Sequence, residues 1–210
     1  MKLLDVHTHH EDGRPGEAII CKLPNEFVAT PGYWYSIGIH PWKLSDVSAS
    51  DEDALVQKAS HEQVLAIGET GFDRLKDYNY DFQKKSFEFH VDMAQYVKKP
   101  VIIHSVRATD LLLAEMKQLK PKTPWIIHGY RGKKEGAMQL INAGFYLSFG
   151  EKYNVEALLN TPLDRLLLET DESSLDIHHI YTNVANDLNM DASELEEVVG
   201  NNIQCIFFQR

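Results

Sequence analysis

Seven residues of types that bind metals or move protons stand at the polar ends of short apolar runs: His7, His9, His40, Glu69, His104, His128 and Asp171. All but His40 form a coherent ligand set. His7 and His9 lie two apart, so on a strand both side chains point to the same side. Imidazole together with carboxylate suits zinc, manganese or iron-like divalent ions. Glu69 closes the run Val64-Leu65-Ala66-Ile67, where an unpaired charge is expensive and demands a cation or a hydrogen-bond partner. One such residue alone is ordinarily a hydrogen-bonded structural group. Ligand-type residues at several separate run ends are hard to produce that way, and together they predict a metal site.

The elements that must position these groups are legible as eight apolar runs. They are Leu3 to His9, Ala18 to Leu23, Trp34 to His40, Val64 to Glu69, Val101 to His104, Trp125 to His128, Phe145 to Phe149 and Arg165 to Asp171. Short continuous apolar runs fit strands buried on both faces of a parallel sheet. Phe82, Phe89, Met93 and Tyr96 recur at helical spacing and predict one face of a helix, ended by Lys98-Lys99-Pro100. Asp191 and Glu194 are spaced as a capping box opening a helix through Leu195, Val198 and Val199. Alternating strands and helices predict an α/β fold, a (β/α)8 TIM-type barrel. It is shortened: the stretches 10–17 and 24–33 are too short or too broken by Gly and Pro for full helices, so helices after the first two strands are reduced. The C-terminal strand ends of such a barrel share one face, where active sites sit.

Composition fits this reading. With 210 residues, 43% hydrophobic, the chain suits a single domain spanning 1–210. No apolar run approaches the ~20 residues of a membrane helix, and no signal-peptide core is read at the start. Two cysteines far apart, Cys21 and Cys205, argue against a disulfide framework and for a cytoplasmic location. A formal net charge of −10 excludes a generally basic nucleic-acid binder while allowing a local basic patch.

The sequence resembles the TatD-type metal-dependent deoxyribonucleases of the amidohydrolase-like barrels. The resemblance rests on Asp5-Val-His-Thr-His9, Gly38-Ile-His-Pro41, Ala66-Ile-Gly-Glu-Thr-Gly-Phe-Asp73, Gln83, Pro100-Val-Ile-Ile-His104, His128-Gly-Tyr-Arg-Gly132, Pro162 to Asp171, Asn202 and Phe207. It implies that His7, His9 and Asp171 bind one divalent ion, that His104 and His128 bind a second, and that Glu69 bridges them. It further implies that Asp171 is the general base and that the substrate is a phosphodiester, single-stranded or terminal DNA. Zinc, magnesium and manganese are not distinguished. His40 lies in the Gly-x-His-Pro motif and is read as a supporting or structural residue.

Several features depart from the family. The long helix after the first histidine pair is largely absent, Glu172-Ser173-Ser174 stands where Ser-Pro-Tyr is usual, and an arginine usual near the fifth-strand histidine is displaced to Arg107. Arg107, Arg131, Lys133 and Lys134 near the presumed mouth are either a solvated face or phosphate-binding groups. Tyr130 is either a base-stacking ring or, as its place just past a buried strand favours, a packing residue. Hydrolysis of another ester or amide uses the same activated water and stays open, as does a barrel that binds without turnover. The Asp-x-His ending of histidinol-phosphatase-type barrels is absent, which disfavours that class.

Overall fold

We describe residues 2–46, 48–75 and 80–208 of a computed structural model. Eight parallel strands follow one another around a sheet in sequence order: β1 (Asp5–Thr8), β2 (Ala18–Lys22), β3 (Trp34–Ile37), β4 (Val64–Asp73), β5 (Val101–Val106), β6 (Trp125–Ile127), β7 (Tyr146–Phe149) and β8 (Leu166–Leu168). Just past β8 the chain swings back to β1. The Asp171 N–H donates to the His7 carbonyl at 2.9 Å and the His9 N–H to the Asp171 carbonyl at 3.1 Å, which nearly closes the barrel. Each expected run holds its strand, and β4 is longer than its apolar run because Thr70, Gly71, Phe72 and Asp73 keep pairing with β5.

The economy at the front is also present. No helix is found between β1 and β3, whereas α1 (Ala49–Lys58) precedes β4. Then come α2 (Tyr80–Val97), α3 (Thr109–Leu119), α4 (Lys134–Asn142), α5 (Val155–Leu159), α6 (Ile177–Leu188) and α7 (Ala192–Ile203). The last turn, Gln204–Phe208, brings the Phe208 ring to 5.8 Å from that of Trp34 on β3, covering wall that a front helix would otherwise cover. Asn202 donates to the carbonyls of Leu163 and Leu166 and so pins the entry to β8. Among the described residues no helix is long and apolar enough to cross a membrane.

Two expectations about helices need correction. Phe82 and Tyr96 of α2 are exposed, and Phe89 and Met93 are only partly buried. The buried side of α2 is Gln83, Phe87, His90, Val91 and Ala94. It escapes an apolar count because two of its members are polar groups that hold strand ends. Gln83 accepts from the Asp73 N–H at 2.8 Å and donates to the Asp73 carbonyl at 3.1 Å. The helix does end at Val97, but Lys99 does not serve its C-terminus. Its ammonium turns inward, donates to the carbonyls of Ala59 and His61, and so caps α1. Asp191 stands at the start of α7 without a side-chain capping bond, so that capping box is not formed.

Candidate metal centre

Glu69 stands near the middle of β4, flanked by glycines that only glycine suits. Gly68 (φ +120°) and Gly71 (φ +143°) adopt backbone closed to L side chains, and a Cβ on either would land on a β5 carbonyl, that of Ile102 or His104. β4 therefore lies tight against β5 and delivers the Glu69 carboxylate to the top of the barrel. One oxygen, Oε2, faces His9 Nε2 at 3.4 Å and His7 Nε2 at 3.6 Å. The other, Oε1, faces His128 Nε2 at 2.7 Å, His104 Nδ1 at 2.9 Å and His40 Nε2 at 3.1 Å. Asp171 Oδ1 lies 3.7 Å from His9 Nε2 and 3.8 Å from His7 Nε2. The six residues expected at the site thus converge. A pocket of about 390 Å³ opens over them, with His7 buried beneath and His9, Glu69, His104, His128 and Asp171 in its wall.

The protons on these rings follow from their outer partners. His104 turns Nε2 to the Asp73 carboxylate at 3.3 Å and His128 turns Nδ1 to the Glu169 carboxylate at 3.2 Å. With a cation on the inner nitrogens, each carboxylate would hold the ring proton on its own side, as carboxylates do behind metal-binding histidines. His40 is the opposite case. Its Nδ1 accepts the Trp42 N–H at 3.0 Å, so a neutral ring carries its proton on Nε2 and donates it to Glu69. This agrees with a supporting role for His40. Trp42 in turn donates its indole N–H to Asp73 at 2.6 Å.

A divalent cation fits this donor set. The His7 ring is fully buried, yet neither nitrogen has a hydrogen-bond partner, which is costly unless a cation takes up the lone pair. The inner nitrogens of His104 and His128 crowd a carboxylate oxygen, an arrangement that needs positive charge between them. Without a metal the positive charge is a proton. Burial opposes charge on both partners, but Glu69 and Glu169 outweigh it and hold His128 well above the usual histidine range. His128, with His104 and His40, likewise holds Glu69 well below the usual carboxylate range despite its burial. Burial and the nearby His128 push His7 well below its ordinary value, so it stays neutral.

Sequence reasoning missed several neighbours of the site. Asp73 ends β4, four residues beyond Glu69, and Glu169 stands just past β8, two residues before Asp171. Cys21, Lys22, Trp42 and Lys43 also line the pocket, carried there by β2 and by the short turn Pro41–Lys43. Of the residues expected to touch substrate, Arg131 reaches the mouth, with Nη2 3.8 Å from Asp171 Oδ2, and lines an adjoining groove with Lys152. Tyr130 does not serve as a stacking ring: it is 7% exposed, its hydroxyl donates to the Lys133 carbonyl, and its ring meets Phe149. The packing alternative holds because β6 and β7 close over it. Arg107 is exposed at the end of β5, outside the residues lining the pocket. Lys134 is engaged with Glu156. His178 pairs with Glu17 and Glu196 away from the pocket, and His90 is a core residue.

A parallel eight-stranded barrel with histidines and carboxylates gathered at its C-terminal strand ends is the plan of barrel enzymes whose chemistry sits on that face. The chain belongs to the TatD related DNase family, whose model matches residues 20–208. It is 34% identical over 145 residues to the uncharacterized metal-dependent hydrolase YabD of Bacillus subtilis, covering 65% of this chain and 57% of that protein. It is 33% identical over 154 residues to the 3'-5' ssDNA/RNA exonuclease TatD of a Pantoea species, covering 67% and 58%. The matched region therefore spans little more than half of these curated relatives. In fold it is similar to the crystal structure of the TatD homologue YJJV of Escherichia coli, with a TM-score of 0.81 at 20% identity over 99% of this chain and 98% of that one. A TatD family hydrolase of Entamoeba histolytica superposes with a TM-score of 0.78 at 15% identity, covering 99% and 98%.

Proposed function

We propose that this chain is a phosphodiesterase dependent on two divalent ions, acting on single-stranded or terminal nucleic acid. The observation that carries the reading is the division of Glu69: one oxygen faces His7 and His9, the other faces His104 and His128. On this reading His7, His9 and Asp171 hold one ion, His104 and His128 hold the other, and Glu69 touches both. Bound there, such ions supply an activated water and neutralise charge at a phosphoryl group. Asp171 is the partly exposed carboxylate of the set, which suits it to take a proton from attacking water at the pocket floor. Its backbone (φ +56°) is left-handed, a conformation that Asp tolerates better than most residues and that is held here by the hydrogen bonds to β1. The His40 Nε2–H keeps Glu69 oriented. Lys22 and Lys43 place positive charge at the rim, where a phosphate chain would enter. The name of the Pantoea relative, an exonuclease for single-stranded DNA and RNA, supports this substrate class. Two unpaired cysteines suit a cytoplasmic location.

The test is elemental analysis of the purified chain followed by hydrolysis of a small phosphodiester and of a 3'-tailed oligonucleotide, before and after chelation. Two ions per chain and activity restored by metal are expected. A chain that binds no metal, or hydrolyses neither substrate with any divalent ion, overturns the proposal.

A further inference from the structure

We infer that Cys21 is a fourth ligand for the ion at His7, His9 and Glu69, and that its sulfur makes this position selective for zinc-class ions over magnesium. The inference rests on the metal-site reading above. In the β1–β2 register Thr8 pairs with Ile20, so Cys21 on β2 lies level with His9. Its sulfur, the His7 and His9 ring nitrogens and a Glu69 oxygen all lie within 4.8 Å of one another. A set this close is within reach of one ion bonded at ~2.0–2.1 Å to nitrogen and ~2.3 Å to sulfur. The second observation is His7, fully buried with both nitrogens unpartnered and held against this same cluster. Cys21 is free of any disulfide and lines the pocket.

Thiolate is a soft ligand. It favours zinc, whereas carboxylate and water suit magnesium and manganese. Two imidazoles, a carboxylate and a thiolate make the four donors of a closed tetrahedral zinc site. On binding, the S–H bond breaks, its electron pair becomes the bond to the ion, and the proton leaves to solvent. Asp171, with Oδ1 3.7 Å and 3.8 Å from the same two histidine nitrogens, then competes with Cys21 for that ion. A hard ion leaves the thiol off and draws in Asp171; a zinc-class ion takes the sulfur.

Cobalt(II) titration of the full chain reads this directly. Visible d–d bands report cobalt bound at the centre, and an intense near-ultraviolet charge-transfer band reports sulfur on it. Both are expected in the parent and in Cys205→Ser. Cys21→Ser should keep the visible bands, lose the charge-transfer band and bind zinc at least about tenfold more weakly, with magnesium affinity unchanged. A second measurement leaves Cys21 in place: in Cys205→Ser it is the sole thiol, and zinc but not magnesium should slow its alkylation by iodoacetamide. Visible bands without charge transfer in the parent overturn the inference, as does a charge-transfer band surviving in Cys21→Ser or equal alkylation with zinc and magnesium. No visible bands at all would instead overturn the metal-site proposal itself.

Discussion

Each histidine at the centre has its role set by what stands behind it. Asp73 and Glu169 meet the outer nitrogens of His104 and His128 and so direct the inner nitrogens at Glu69, while the Trp42 N–H turns a proton of His40 toward Glu69. Replacing Glu169 with Gln keeps an oxygen that can accept from His128 Nδ1 but removes the charge. Binding of the ion at His104 and His128 should weaken ~10–100-fold, with the His7–His9 position little affected, as competition titrations with a chelating dye would measure. Equal weakening of both positions would show that Glu169 acts on the fold and not on the ring. Asp171→Asn keeps shape and removes the proton acceptor. Turnover should fall by ~10²-fold or more, the range for losing a positioned base. Metal content must be measured in the same variant, and full metal with near-normal rate would exclude Asp171 as the base.

At the scale of elements, the barrel delivers these residues through secondary structure that is itself held by buried polar groups. His90 on α2 is the example. Its Nε2 accepts the Ile39 N–H at 2.9 Å and its Nδ1 donates to the Ser86 carbonyl at 2.7 Å, which fixes the backbone just before His40. Burial lowers the pKa of His90 from 6.5 to about 4. Between those values the unfolded chain binds a proton that the folded chain refuses, so stability rises with pH across the window. The contribution is present above pH about 6.5 and falls away as pH drops toward 4, by roughly 3 kcal/mol in total. Thermal melts at pH 7 and pH 4.5 should show a smaller acid loss in His90→Gln, whose amide oxygen can still accept from Ile39. An identical acid loss in parent and variant would remove His90 from the account.

Over the whole molecule, a formal charge of −10 sets how the nucleic acid of the proposed function would be held. Few basic groups face the site: Lys22 and Lys43 line the pocket, Arg131 and Lys152 the adjoining groove, and Lys22 also contacts Glu11. Oligonucleotide binding should therefore be weak, with a shallow salt dependence, since each neutralised phosphate of a single strand adds only ~0.7 to the logarithmic slope. Lys43→Glu should raise KM for oligonucleotides and leave a small phosphodiester nearly unaffected. If both substrates respond alike, Lys43 acts on the metal centre and not on the strand.

The sequence by itself determined the eight strands, the thin front of the barrel and the six residues that meet at its C-terminal face. Strand ends were legible because six of the eight apolar runs stop at a histidine or an acid, and a barrel gathers such run ends on one face. The interior of α2 was not legible. Gln83 and His90 are polar yet buried, because backbone groups of β4 and of Ile39 need partners that only the folded chain brings within reach. Tyr130 was legible as a packing residue from its place just past a buried strand, and its ring packs against Phe149 of β7. Only the tertiary structure decided which nitrogen of each histidine faces inward, since that depends on Asp73, Glu169 and Trp42, residues far apart in the chain. It also brought Cys21 level with His9, because pairing register between β1 and β2 is a long-range property that no local pattern of residues encodes.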